Sequence, residues 1–180
     1  MSLFSLKDKS ILITGSSKGI GKSIAHQSAL MGANVIISSR KMDACEVTAK
    51  EINDDIGKEV AFPIACNIAD DNQLKNLVDT TIDTLGSIDT LICNAATNTF
   101  MGSMLDMTIE QFDKVMHNNV RSNQLLCNLC LPGMIEKEGG SIIIISSIAA
   151  IKGSSMLGAY NISKAADVMI VKNIAAEFGH

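Results

Sequence analysis

Short apolar runs alternate with helical stretches five times along these 180 residues. No other feature narrows the fold as much. The runs are Ser10–Thr14, Asn34–Arg40, Glu59–Cys66, Ile88–Cys93 and Ile142–Ser147, the last opening with four consecutive isoleucines. Between and after them lie stretches with helical periodicity: Gly21 through Met31, Asp43–Ile56, Asp70–Leu85, Thr108–Lys137 and Gly158–Phe178. Strands separated by helices cannot pair as hairpins. The chain is therefore expected to form an α/β fold, a doubly wound parallel sheet with helices on both faces. Unbroken apolar runs predict strands buried on both faces, the isoleucine strand included. Asp70 is the expected N-cap of the third helix and Gly86 its stop. Asn118-Asn119 interrupts or joins two helices and puts two amides amid apolar periodicity. Residues 1–180 read as one domain, with no linker, repeat or low-complexity tract.

Charge and cysteine usage exclude several classes. The formal charge is −4, with Lys and Arg dispersed, which does not suit a nucleic-acid surface. No apolar stretch reaches membrane-spanning length, and the first residues lack a secretory plan. Five cysteines, an odd number lying within helices and strands, suit reduced thiols in a cytoplasmic protein. Cys127 and Cys130 have C-x-x-C spacing, but no second ligand pair accompanies them. No metal site is expected.

The first strand runs into Gly15-Ser16-Ser17-Lys18-Gly19-Ile20-Gly21, and a helix follows. Strand, glycine-rich turn and helix together place a pyrophosphate on backbone N–H groups at a helix N-terminus. The second strand ends in Ser39-Arg40, and the first carboxylate after it is Asp43. An acidic residue there would hold a ribose 2′-hydroxyl, whereas cations suit a 2′-phosphate. With Lys18 expected nearby, a preference for NADP(H) follows. The fourth strand ends in small residues, Asn94-Ala95-Ala96, which let a ligand approach the carboxyl edge of the sheet.

Tyr160 is the only tyrosine, and Lys164 lies four residues on. In a helix these two side chains project from one face. A phenol beside an ammonium is a proton donor usable nearer neutral pH. A unit charge about 4 Å away is worth on the order of 4 kcal/mol at an effective dielectric of about 20. Ser147 closes the isoleucine strand, thirteen positions before the tyrosine (160 − 147 = 13).

Taken together, these residues resemble the short-chain dehydrogenase/reductase family. Thr14-Gly15-x-x-x-Gly19-Ile20-Gly21 matches its cofactor turn. Asn94-Ala95-Ala96 matches its strand-end motif, with Ala96 in place of glycine. Asn119, Ser147, Tyr160 and Lys164 match its catalytic set in identity, order and spacing. Within the family, the chain is most similar to NADP-dependent carbonyl and retinol reductases and their bacterial relatives. The resemblance implies reversible hydride transfer between NADP(H) and a carbonyl or secondary alcohol. Tyr160 would pass the proton. Lys164 would assist it and hold the nicotinamide ribose, Ser147 would bind the substrate oxygen, and Asn119 would hold a water. The cofactor would rest on Gly15, Ser17, Lys18, Gly19, Ile20, Gly21, Ser39, Arg40, Asn67, Ile68, Asn94 and Ala95, besides Tyr160 and Lys164. Asn67 stands where many members carry Asp. A 3-oxoacyl-thioester reductase within the family is an alternative, as is a cofactor-binding fragment or interaction protein without turnover. A homodimer or homotetramer is also implied. The family's sheet continues beyond the catalytic helix, so the native protein is expected to be longer than these 180 residues.

Overall fold

A computed structural model describes residues 4–179. Five strands, β1 (Ser10–Thr14), β2 (Asn34–Ser39), β3 (Ala61–Ala65), β4 (Thr90–Cys93) and β5 (Ser141–Ile144), alternate with helices. The helices are α1 (Gly19–Leu30), α2 (Met42–Ile56), α3 (Asp71–Leu85), α4 (Ile109–Met116), α5 (Ser122–Glu136) and α6 (Gly158–Phe178). The strands form one sheet in the order β3-β2-β1-β4-β5, and every pairing is parallel. This is the expected Rossmann-like α/β fold.

The two cores follow from the two-residue period of β1. Leu12 faces one side, where it joins Ile36, Leu91, Leu74, Leu77, Leu126 and Ile170 from the neighbouring strands and from α3, α5 and α6. Ile11 and Ile13 face the other side, with Val35, Ile37, Ala25, Ala29, Ala49 and Ile52 from β2, α1 and α2. Alternate side chains of a central strand must each find an apolar layer, so helices cover both faces.

Helix ends follow the sequence signals. The Asp70 carboxylate accepts from the backbone N–H groups of Asn72 and Gln73, and Gly86 ends α3 in the left-handed region at φ +81°. Thr108 and Gln111 form a reciprocal capping box at the start of α4. Asn118 and Asn119 join two helices: a π-helical turn, His117–Arg121, links α4 directly to α5. β3 is shorter than the Glu59–Cys66 run, and it carries Pro63. A proline fits there because β3 is an outer strand.

The isoleucine strand departs from expectation. Its residues are not buried on both faces: Ile143 is 45% exposed, and Ile142 and Ile144 are half-buried. The reason is position. β5 is the outermost strand, and no described element lies beyond it to complete either layer. No described helix is long and apolar enough to cross a membrane.

Candidate active site

In open α/β sheets ligands bind at the carboxyl edge where the strand order reverses. Here that point lies between β1 and β4, and the residues ending these strands bind one another closely. The Thr14 hydroxyl accepts from the backbone N–H groups of Asn94 and Ala95, each at 3.1 Å. The Asn94 side-chain amide donates to the carbonyls of Thr14 (2.9 Å) and Gly15 (3.0 Å). Asn94 therefore acts as a staple between two strand ends. On the other flank the buried Ser16 hydroxyl donates to the Ile13 carbonyl at 2.7 Å and accepts from the Ser38 N–H at 2.8 Å. The loop after β1 is thus bolted to both neighbouring strands.

Two glycines of this loop have different reasons to be glycine. A Cβ on Gly21 would lie 2.6 Å from both the Asn94 amide nitrogen and the Gly15 carbonyl, so close packing excludes a side chain. Gly19 adopts φ +58°, and a Cβ there would meet nothing within 4 Å. It opens the start of α1 to solvent. No side chain caps that start, and no acidic residue occupies the first turn. The unshared N–H groups and the positive end of the helix dipole are therefore available to an anion. Ser17 is half-buried, its carbonyl accepting from the Thr48 hydroxyl at 2.9 Å. Lys18 and Ile20 are exposed.

At the end of β2, the Ser39 hydroxyl contacts the Cys45 thiol at 3.2 Å, turned toward α2. Arg40 and Lys18 are exposed. Neither forms an ion pair among the described residues. Asn67 is exposed and its side-chain oxygen accepts from the Ala69 N–H at 3.2 Å, while Ile68 packs against the core.

The second half of the site lies where α6 meets the end of β5. Lys164 is 2% exposed. Its ammonium donates to the Ile145 carbonyl at 2.8 Å and pairs with Asp167 Oδ2 at 3.0 Å. It also lies 5.9 Å from the centre of the half-buried Tyr160 ring. Ser146 donates to the Lys164 carbonyl at 3.3 Å. Ser147 then begins a short 3₁₀ turn, Ile148–Ala150, with its hydroxyl accepting from the Ala149 N–H at 3.1 Å. That turn packs on α6, and the Asn161 amide ties the loop down by donating to the Lys152 carbonyl at 2.8 Å.

Asn119 is fully buried. Its amide donates to the Thr97 carbonyl (2.8 Å) and the Ser163 hydroxyl (3.0 Å), and its oxygen accepts from the Thr97 N–H (2.7 Å). Ser163 in turn donates to the Tyr160 carbonyl at 2.8 Å. Asn119 thus joins the loop after β4 to the turn of α6 that carries Tyr160. The π-helical turn places it there, and such turns are frequent at functional sites.

Sequence reading placed Thr14 only at the head of the cofactor-turn motif and did not single out Ser163, Asn123 or Asp167. Asn123 Nδ2 donates to Asp167 Oδ1 at 2.9 Å. An acid three residues beyond Lys164, within the otherwise apolar stretch 165–171, was the available signal. The thiols of Cys93 and Cys127 share a hydrogen bond, which raises Cys93 and lowers Cys127. Burial pushes Cys130 up to about 12. All five cysteines are free and buried.

A short chain dehydrogenase family model matches residues 9–180. The chain belongs to the short-chain dehydrogenase family. It is 36% identical over 172 residues to the pig protein "Dehydrogenase/reductase SDR family member 4", covering 96% of this chain and 61% of that one. The human protein of the same name is 37% identical over the same length and coverage. The chain thus spans about three fifths of these curated relatives. Among solved structures, a short-chain dehydrogenase/reductase from Mycobacterium marinum superposes with a TM-score of 0.91 at 36% identity, covering 98% of this chain and 72% of that one. A 7α-hydroxysteroid dehydrogenase complexed with NADH and 7-oxo glycochenodeoxycholic acid superposes with a TM-score of 0.92 at 35% identity, covering 98% and 68%. The short-chain dehydrogenases are oxidoreductases.

Proposed function

We propose that this chain carries the cofactor and proton-transfer sites of an oxidoreductase that moves hydride reversibly between NADP(H) and a carbonyl or secondary alcohol. The observation that carries this reading is the pairing of Lys164 with Tyr160 beside the end of β5, on the carboxyl edge where the glycine turn also opens. When bound, the nicotinamide supplies the hydride chemistry. Tyr160 gives a proton to the substrate oxygen, or takes it, as general acid or base. The Lys164 ammonium would favour the phenolate and would hold the ribose hydroxyls of the bound cofactor. Ser147 hydrogen-bonds the substrate oxygen as charge develops on it. Asn119 holds Thr97 and the Tyr160 turn of α6 in register, and by the resemblance it would also hold a water.

Gly15, Ser17, Gly19, Ile20 and Gly21 would form the pyrophosphate cradle, and Asn67, Ile68 and Ala95 would hold the adenine and nicotinamide halves. Asn94 contributes by fixing the strand ends. NADP(H) is favoured because Arg40 and Lys18 stand exposed and without an acidic partner near the ribose end. The 7α-hydroxysteroid dehydrogenase at 35% identity holds NADH. Overall identity therefore does not decide the choice, and Arg40 is the residue on which it rests. The five free, buried cysteines support the reading of a cytoplasmic protein. It is expected to assemble as a homodimer or homotetramer through α4, α5 and α6.

Following cofactor absorbance with a panel of ketones and secondary alcohols tests the proposal. NADPH consumption with at least one carbonyl is expected, at a kcat/KM about tenfold or more above that with NADH. Equal or better use of NADH overturns the cofactor preference. Cofactor binding without turnover on any substrate overturns the catalytic reading.

A further inference from the structure

Asp167 is wholly buried in α6, and both of its oxygens are engaged. Oδ2 pairs with the Lys164 ammonium at 3.0 Å, and Oδ1 accepts from Asn123 of α5 at 2.9 Å. The pair is nearly dry, with side-chain exposures of 3% for Lys164 and 0% for Asp167. A buried ion pair is often no more stabilising than apolar residues of the same volume, so stability alone gives little reason for it. The titratable groups that face Asp167 are Lys164 from its own helix, Cys93 from β4 and Cys127 from α5. Its negative charge pushes both thiols up, although the hydrogen bond from Cys93 dominates at Cys127.

We propose that Asp167, held by Asn123, is a positioning residue and counter-ion for Lys164. It fixes the ammonium in place and tempers its pull on the Tyr160 proton. The inference rests on the reading of Tyr160 and Lys164 as the proton-transfer pair. Two donors of Lys164 are directed to Ile145 and Asp167, which leaves one for the Tyr160 side. The phenol therefore faces a compensated charge rather than a lone cation. Without the carboxylate, the phenolate becomes the only anion left for the ammonium. Removing one negative charge raises the potential at the pair, so its first proton leaves at lower pH.

The chain has one tyrosine and no tryptophan, so near-ultraviolet tyrosinate absorbance titrates Tyr160 alone and needs neither cofactor nor substrate. Asp167→Asn keeps the shape and removes the charge. The midpoint is expected to fall by about one pH unit, a tenfold loss of proton affinity, and the rising limb of kcat/KM for alcohol oxidation should move with it. A midpoint that is unchanged or raised overturns the proposal. Should Asp167→Asn not fold, Asp167→Leu removes the same charge with a side chain of similar length, and the same fall is required of it. Lys164→Met separates this inference from the reading beneath it. If that variant does not raise the midpoint, the Tyr160–Lys164 pairing itself fails. If it does, while Asp167→Asn has no effect, only the role of Asp167 is lost.

Discussion

Arg40 stands exposed at the end of β2, where a cation with no acidic partner can meet a phosphate. Charge-assisted hydrogen bonds contribute about 1.5–3 kcal/mol. Arg40→Glu should therefore lower kcat/KM with NADPH by roughly 10- to 100-fold and leave NADH unchanged or better used, as read by paired steady-state kinetics. An equal loss with both cofactors would remove Arg40 from the ribose end. At this scale the sequence was legible wherever a site rests on local spacing. Tyr160 and Lys164 are four apart on one helix, so their shared face could be read directly. The partners of Asn119 and Asp167 could not. Thr97 lies 22 residues from Asn119, and Asn123 lies 44 from Asp167. Buried polar pairs of that separation leave no periodic trace.

Among the elements, the loop between β1 and α1 depends on close packing. Gly21→Ala would drive a methyl group into the Asn94 amide and the Gly15 carbonyl. It is expected to cost about 1–3 kcal/mol, measured by chemical denaturation. A neutral effect would mean that the staple can shift. The opposite ends of the strands converge on Asp89. Its carboxylate accepts from the Ser10 N–H and from Lys137, each at 2.8 Å, and its carbonyl accepts from the Ser141 N–H at 2.9 Å. Burial pushes this carboxyl up, but the bonds from Lys137 and Ser10 outweigh it and hold it below the usual carboxylate range. A depressed folded value stabilises above the unfolded value, about 3.9, and that contribution is lost as pH falls through the folded one. Asp89 is one-fifth exposed, so solvent screening limits its contribution to about 1 kcal/mol. Asp89→Asn should lower the urea midpoint at pH 7, and the gap from wild type should close below about pH 4. A gap independent of pH would contradict this. The elements themselves were legible because strand and helix periods differ. The burial of β5 was not, since an apolar run gives no sign of whether its strand is central or outermost.

For the molecule as a whole, β5 forms one outer edge of the sheet among the described residues. A groove of about 840 Å³ lies beside it, lined by Leu131, Met134, Ile142, Val171, Ile174 and Phe178. Exposed apolar edges template association with other chains. Ile143→Lys should reduce concentration-dependent light scattering of this chain while changing its stability by no more than about 0.5 kcal/mol. Undiminished scattering would place the sticky surface elsewhere. At the other end of the scale, the parallel order β3-β2-β1-β4-β5 brings the glycine turn, the strand-end staple and α6 to one carboxyl edge. The most direct test of the chemistry assigned to that edge is cofactor-linked turnover by Tyr160→Phe, compared with wild type on the same carbonyl substrate. A fall in kcat of about 10²- to 10⁴-fold is predicted, with NADPH affinity within a few-fold of wild type. A variant that keeps most of its turnover would contradict the account.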